Sequence, residues 1–116
     1  MEAKAVVTNV RITPRKVKIV MDLIRGKDYE LAMGILKNTP KAASEHLIKL
    51  LASAKANVLS KAEAHNEVVD ESKLFVSECY ACPGPTLKRG QARGRGGFDR
   101  LLKRTSHMTI VVKEKE

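Results

Sequence analysis

Tryptophan is absent from this chain of 116 residues, and its only aromatics are two tyrosines and two phenylalanines. A core built on stacked rings is excluded. So is a broad single-strand platform, which holds successive bases on Phe, Tyr or Trp. No apolar run approaches the roughly 20 residues of a membrane-spanning helix. The opening MEAKAVVTNV has no basic segment leading into a long apolar one, as a secretory signal would. Both absences point to the cytoplasm, with no membrane partner expected. Cysteine is limited to Cys79 and Cys82. A structural zinc site usually needs a second such pair, and His46, His65 and His107 have no mutual ligand spacing. Pro83 stands where a redox C-x-x-C would open a helix. Neither metal nor cofactor is expected, and a reducing compartment makes a structural disulfide unexpected.

Acids are also scarce: 13 against 22 lysines and arginines, a net charge of +9. Clustered cations on a short chain favour a polyanionic partner, because they release condensed counterions from phosphate backbones. The densest cluster is LKRGQARGRGGFDRLLKRTSH. It carries Lys88, Arg89, Arg93, Arg95, Arg100, Lys103 and Arg104 against the single acid Asp99. Glycine lets a backbone bend closely around phosphates, and the planar guanidinium of arginine offers a fork of donors. GRGG lacks the Lys-Ser/Thr ending of a P-loop and does not open a helix after a strand, which excludes nucleotide binding of that kind. Arg11, Arg15, Lys16, Lys18, Arg25 and Lys27 form a second cluster. No constellation suggests catalysis. Ser106 and His107 are neighbours on opposite strand faces, Glu63 and His65 sit at a helix end, and nothing converges on a pocket.

The hydrophobic pattern predicts one domain of the α+β class, residues 1–116. KAVVTNVRI reads as a short strand or extended arm. Thr13 is placed as an N-cap with Pro14 at the first helical position. Val17, Val20, Met21 and Ile24 then mark one face of a helix that stops at Gly26. A second helix fits DYELAMGILKN, capped by Asp28, with Leu31, Ala32, Ile35 and Leu36 apolar, and Thr39-Pro40 ends it. A third runs from Lys41 to Ala64 without Gly or Pro, with Ala43, Leu47, Leu50, Leu51, Ala54 and Val58 at helical spacing. HNEVVDESK reads as a loop, and LFVSECYA as a strand. LLKRTSHMTIVVK reads as one continuous strand with Met108, Ile110 and Val112 on one face and His107, Thr109 and Val111 on the other. Two strands flanking the basic segment pair as a hairpin, so that segment, at about 83–100, projects as a finger tethered at both ends. Loops that long tend to be functional.

Taken in order, TPRKVKIVMDLIRGK, AxxHLIKLLASAKANV, GPTLKRGQARGRGGFDRLLKRTSH and the closing strand resemble the L twenty-two family of bacterial large-subunit ribosomal proteins over essentially the whole chain. The resemblance implies three helices packed on a small antiparallel sheet with a long protruding β-hairpin. It also implies binding to 23S ribosomal RNA, a part in subunit assembly, neighbouring ribosomal proteins as partners, and a hairpin reaching the wall of the nascent-peptide tunnel. Leu87, Lys88 and Arg89 match a segment tied to macrolide response. Gln91, Ala92, Arg93, Gly94, Arg95, Gly96 and Gly97 match the hairpin tip, and Arg100, Lys103 and Arg104 the basic return strand. No homo-oligomer is expected. Three residues depart from the family pattern: Ala92 replaces a common proline, Gly97 a common arginine, and Phe98 a small residue. They imply a tip that is more flexible and one charge poorer. The competing reading, a free-standing nucleic-acid-binding regulator, would need a recognition helix and a dimer face. The break at Thr39-Pro40 is a weak imitation of the first.

Overall fold

The computed structural model describes residues 1–115; Glu116, the last residue of the expected domain, lies outside them. Strand β1 (Glu2–Val10) is followed by helices α1 (Pro14–Ile24), α2 (Tyr29–Asn38) and α3 (Ala42–Ala64). A single 3₁₀ turn at Glu71–Lys73 then precedes β2 (Leu74–Pro83), β3 (Leu87–Ala92), β4 (Phe98–Lys103) and β5 (Ser106–Glu114). The fold is α+β. An antiparallel sheet of order β1-β5-β2 carries the helices on one face, and β3-β4 form a separate two-stranded ladder.

Helix periodicity decides the core. Val17, Val20, Met21 and Ile24 of α1 are fully buried, as are Leu47, Leu51, Ala54 and Val58 of α3. They meet Met108, Ile110 and Val112 of β5, each without exposure. In β2 the inward positions are Leu74 and Val76, then Cys79 and Ala81. That change of parity comes from a bulge between Val76 and Glu78, which inserts one residue against β5.

Both outer edges of the sheet are covered in part. The α1–α2 connection runs along β2, where the Gly26 N–H donates to the Val76 carbonyl and the Val76 N–H to the Lys27 carbonyl, each at 2.9 Å. Along β1, Asn57 of α3 donates to the Lys4 carbonyl at 2.9 Å and Lys61 to the Glu2 carbonyl at 3.0 Å. Unpaired edges are templates for aggregation, and at these points they are occupied by the protein's own donors and acceptors.

Several local expectations need correction. Thr13 and Asp28 stand at the N-cap positions, but neither side chain caps. The Thr13 carbonyl accepts from Lys16 and Val17, while the Asp28 carboxylate pairs with Lys115. In α2 the inward stripe is Tyr29, Ala32 and Leu36, and Leu31 is exposed because the helix is rotated by about one position from the expected face. The run expected as a single final strand is two strands. It breaks at Arg104-Thr105, where Pro85 on the opposite chain lacks an N–H group to continue a ladder.

That break forms a neck. Gly84 donates to the Thr105 carbonyl at 3.0 Å, and the Thr105 hydroxyl donates to the Pro85 carbonyl at 2.7 Å. One residue on, Ser106 donates to the Ile12 carbonyl at 2.6 Å, tying the neck to the start of α1. Beyond it β3 and β4 leave the body, and the molecule measures 67 × 28 × 17 Å. Its radius of gyration is 17.7 Å, against about 13 Å for a compact chain of this length.

Candidate nucleic-acid interface

The basic segment is a hairpin whose register pairs Leu87 with Lys103, Arg89 with Leu101 and Gln91 with Asp99 on one face. The other face pairs Lys88 with Leu102, Gly90 with Arg100 and Ala92 with Phe98. Cross-strand partners share a face, so each face carries two cations: Arg89 and Lys103 on one, Lys88 and Arg100 on the other. All four are exposed.

The tip closes tightly. Arg93 donates its N–H to the Gly97 carbonyl at 2.9 Å, and Gly97 to the Gly94 carbonyl at 3.1 Å. Arg95 (φ 60°) and Gly96 (φ 72°) are both left-handed, the type I′ pattern whose twist matches paired strands. The Arg93 guanidinium meets Asp99 at 2.5 Å, so the finger's one acid is neutralised internally and Arg95 projects alone from the apex.

At the neck, residues from three parts of the chain line a cleft of about 440 Å³. Arg15 and Lys18 reach it from α1, Arg104 from the end of the finger, and Thr13, Thr86 and Thr105 complete its wall. The three threonines were not anticipated; nothing in their sequence context marks them, because the cleft exists only once the neck has folded. Arg11 is exposed on the link between β1 and α1. Lys16 lies instead beside a second, more apolar recess with Ile12, Ile19 and Lys41.

Arg25 and Lys27 are not brought to the cleft. They follow the far end of α1, about 15 Å along the axis from Arg15 at 1.5 Å per residue. Arg25 is also committed within the protein. It donates to Asp22 at 2.6 Å and to the Cys79 carbonyl at 2.9 Å, and the Asp22 carboxylate holds its pKa above the usual value.

Charge is segregated along the molecule. Residues 83–104 hold seven bases and one acid, and residues 11–28 hold six bases and two acids. These two stretches together carry +10; the remainder, nine bases against ten acids, carries −1.

The two thiols are three residues apart on β2 and so face opposite ways. Cys79 is buried, and burial pushes its thiol pKa up; Cys82 is exposed. Among the described residues no group of three or more His, Cys, Asp or Glu side chains is placed to hold a metal.

Residues 5–113 match the family described as Ribosomal protein L22p/L17e. The chain is 53% identical to the large ribosomal subunit protein uL22 of Acetivibrio thermocellus, over 98% of this chain and 87% of that one. It is 51% identical to uL22 of Clostridium tetani across the full length of both, and 48% identical to uL22 of Clostridium novyi over 99% of each. The chain belongs to the ribosomal protein L22p/L17e family, and is a structural, non-enzymatic ribosomal protein of the cytoplasm.

Proposed function

We propose that this large-subunit protein binds 23S ribosomal RNA through the finger and the neck cleft, and that the finger lines the nascent-peptide exit tunnel. The observation that carries the reading is the distribution of cations on the finger: two on each face, one free at the apex, and none opposed by an unneutralised acid. A binder resting on a surface needs charge on one face. A ladder charged on both is suited to insertion between phosphates on either side, each contact releasing counterions.

The body docks through Arg15, Lys18 and Arg104 in the cleft, with Arg11, Lys16 and Lys27 extending the footprint. In the finger, Lys88, Arg89, Arg100 and Lys103 grip RNA along the shaft. Arg93 contributes through the guanidinium donors that Asp99 does not use, and Arg25 through those that Asp22 and Cys79 do not use. The tip, Gln91 to Gly97, faces the nascent chain, and Leu87, Lys88 and Arg89 form the segment that bears on macrolide response. The near-neutral remainder of the body is available to neighbouring ribosomal proteins. By joining distant RNA segments at its neck and along its finger, the protein aids subunit assembly.

Sucrose-gradient sedimentation of lysate tests the placement. The chain is expected to travel with large subunits and to be stripped by high salt. A chain that stays near the top at low salt would instead be a free regulator. Replacing Leu87, Lys88 and Arg89 by alanine is expected to alter growth inhibition by a macrolide while leaving the chain in the subunit; unchanged sensitivity would contradict the assignment of that segment.

A further inference from the structure

Phe98 takes no part in the hydrophobic core. It begins β4 on the finger, 70% exposed, far from the core. It nonetheless has a seat. A Cβ built on Gly90 would lie 1.7 Å from the ring's Cζ and 2.4 Å from Cε1, so the ring lies across the glycine backbone and occupies the space a side chain would fill. This diagonal cover of a strand glycine by an aromatic fixes the ring's orientation while leaving much of its surface open. Lys88 and Arg100 share the same face of the ladder. Among the described residues the finger's only ion pair is that between Arg93 and Asp99, so neither cation on the ring's face is drawn to a carboxylate.

We infer that Phe98 is a single-base stacking site: its open face receives one unpaired nucleobase of ribosomal RNA, with Lys88 and Arg100 holding the flanking phosphates. The inference rests on the RNA-binding reading of the finger and adds to it. Cations alone fix a finger on phosphate without regard to base pairing, whereas a ring seated over a glycine selects a position where a base is splayed out of its helix. The occupant is a base because the charged groups on the ring's face, Lys88 and Arg100 beside the apolar Ala92 and Leu102, are both cations, which favours a polyanion over an apolar peptide.

The absence of tryptophan makes the test direct. In Phe98→Trp the new indole is the protein's only one, and stacking on a base quenches its emission. Full-length 23S transcript is titrated into this variant, into the wild type and into Phe98→Leu, which keeps an apolar side chain but cannot stack. The inference predicts quenching on binding, together with affinity about tenfold lower for Phe98→Leu and an unchanged salt slope, since no phosphate contact is lost. Gly90→Ala, which displaces the ring, should weaken binding similarly and add little on top of Phe98→Leu. Wild-type affinity in Phe98→Leu with unquenched indole in Phe98→Trp would overturn the stacking site while leaving the RNA-binding reading intact. Quenching seen only in ribosomes carrying a stalled nascent chain would assign the ring to the peptide and overturn it also. Failure of the wild type itself to bind the transcript would remove the RNA-binding reading and the stacking site together.

Discussion

At the scale of single residues, the neck is where small changes should matter most. A Cβ at Gly84 would come within 2.6 Å of the Thr105 hydroxyl and 3.0 Å of the His107 ring. Gly84→Ala therefore forces the two chains of the neck apart, and overpacking of this kind costs about 1–3 kcal/mol. A lowered thermal midpoint should report it, with Gly94→Ala, which meets nothing within 4 Å, close to the wild type. The thiols make a second contrast. Burial raises the Cys79 pKa, so the native state holds the neutral thiol more tightly than the unfolded chain does. Its contribution to stability is complete below the unfolded thiol's value of about 8.5 and is lost as pH rises from there through the higher native value. A thiol reagent at pH 8 should label Cys82 at once and Cys79 only on unfolding; equal rates would contradict the burial. The residue scale was partly legible in the sequence. Asp22 stands three residues before Arg25, so its claim on that guanidinium could have been seen. The Cys79 carbonyl that takes a second donor is 54 positions away and could not.

At the scale of elements, the sequence was clearest where periodicity is strict. The spacing of Leu47, Leu50, Leu51, Ala54 and Val58 marked the buried face of α3, and all five are buried. Leu51→Ala should cost about 2–5 kcal/mol, the usual penalty for a core leucine, measured by denaturant unfolding. The finger was harder to read. Gly90, Gln91 and Arg93 to Gly97 have little strand preference, and the β3-β4 ladder depends on a cross-strand register that no local pattern encodes. The division of the last strand escaped for a related reason: the interruption at Thr105 is imposed by Pro85, about twenty residues earlier. An isolated two-stranded ladder is marginal in water, and six cations against one acid repel along it. Amides of the finger should therefore exchange rapidly in the free protein and slowly in the assembled subunit. Equal protection in both would mean that RNA does not order it.

At the scale of the whole molecule, composition was informative at once and shape was not. The surplus of Lys and Arg pointed to a polyanion partner as an expectation, and its two clusters were visible along the chain. That Arg15 and Lys18 of one meet Arg104 of the other at the neck, leaving a near-neutral body behind, required the fold. A partner contacted along a finger and at its base should give a steep salt dependence. Arg89→Ala and Lys103→Ala should each reduce the slope of log affinity against log salt by about 1, whereas Lys49→Ala on the near-neutral body should leave it unchanged. The central claim, that the finger threads through RNA to reach the peptide path, is tested most directly by a photoreactive group at Gln91. It is placed in assembled large subunits carrying a stalled, labelled nascent chain. The account predicts crosslinks to both 23S RNA and the nascent chain. Incorporation with crosslinks to RNA alone would contradict the tunnel-facing tip, and absence of the protein from large subunits would contradict the account as a whole.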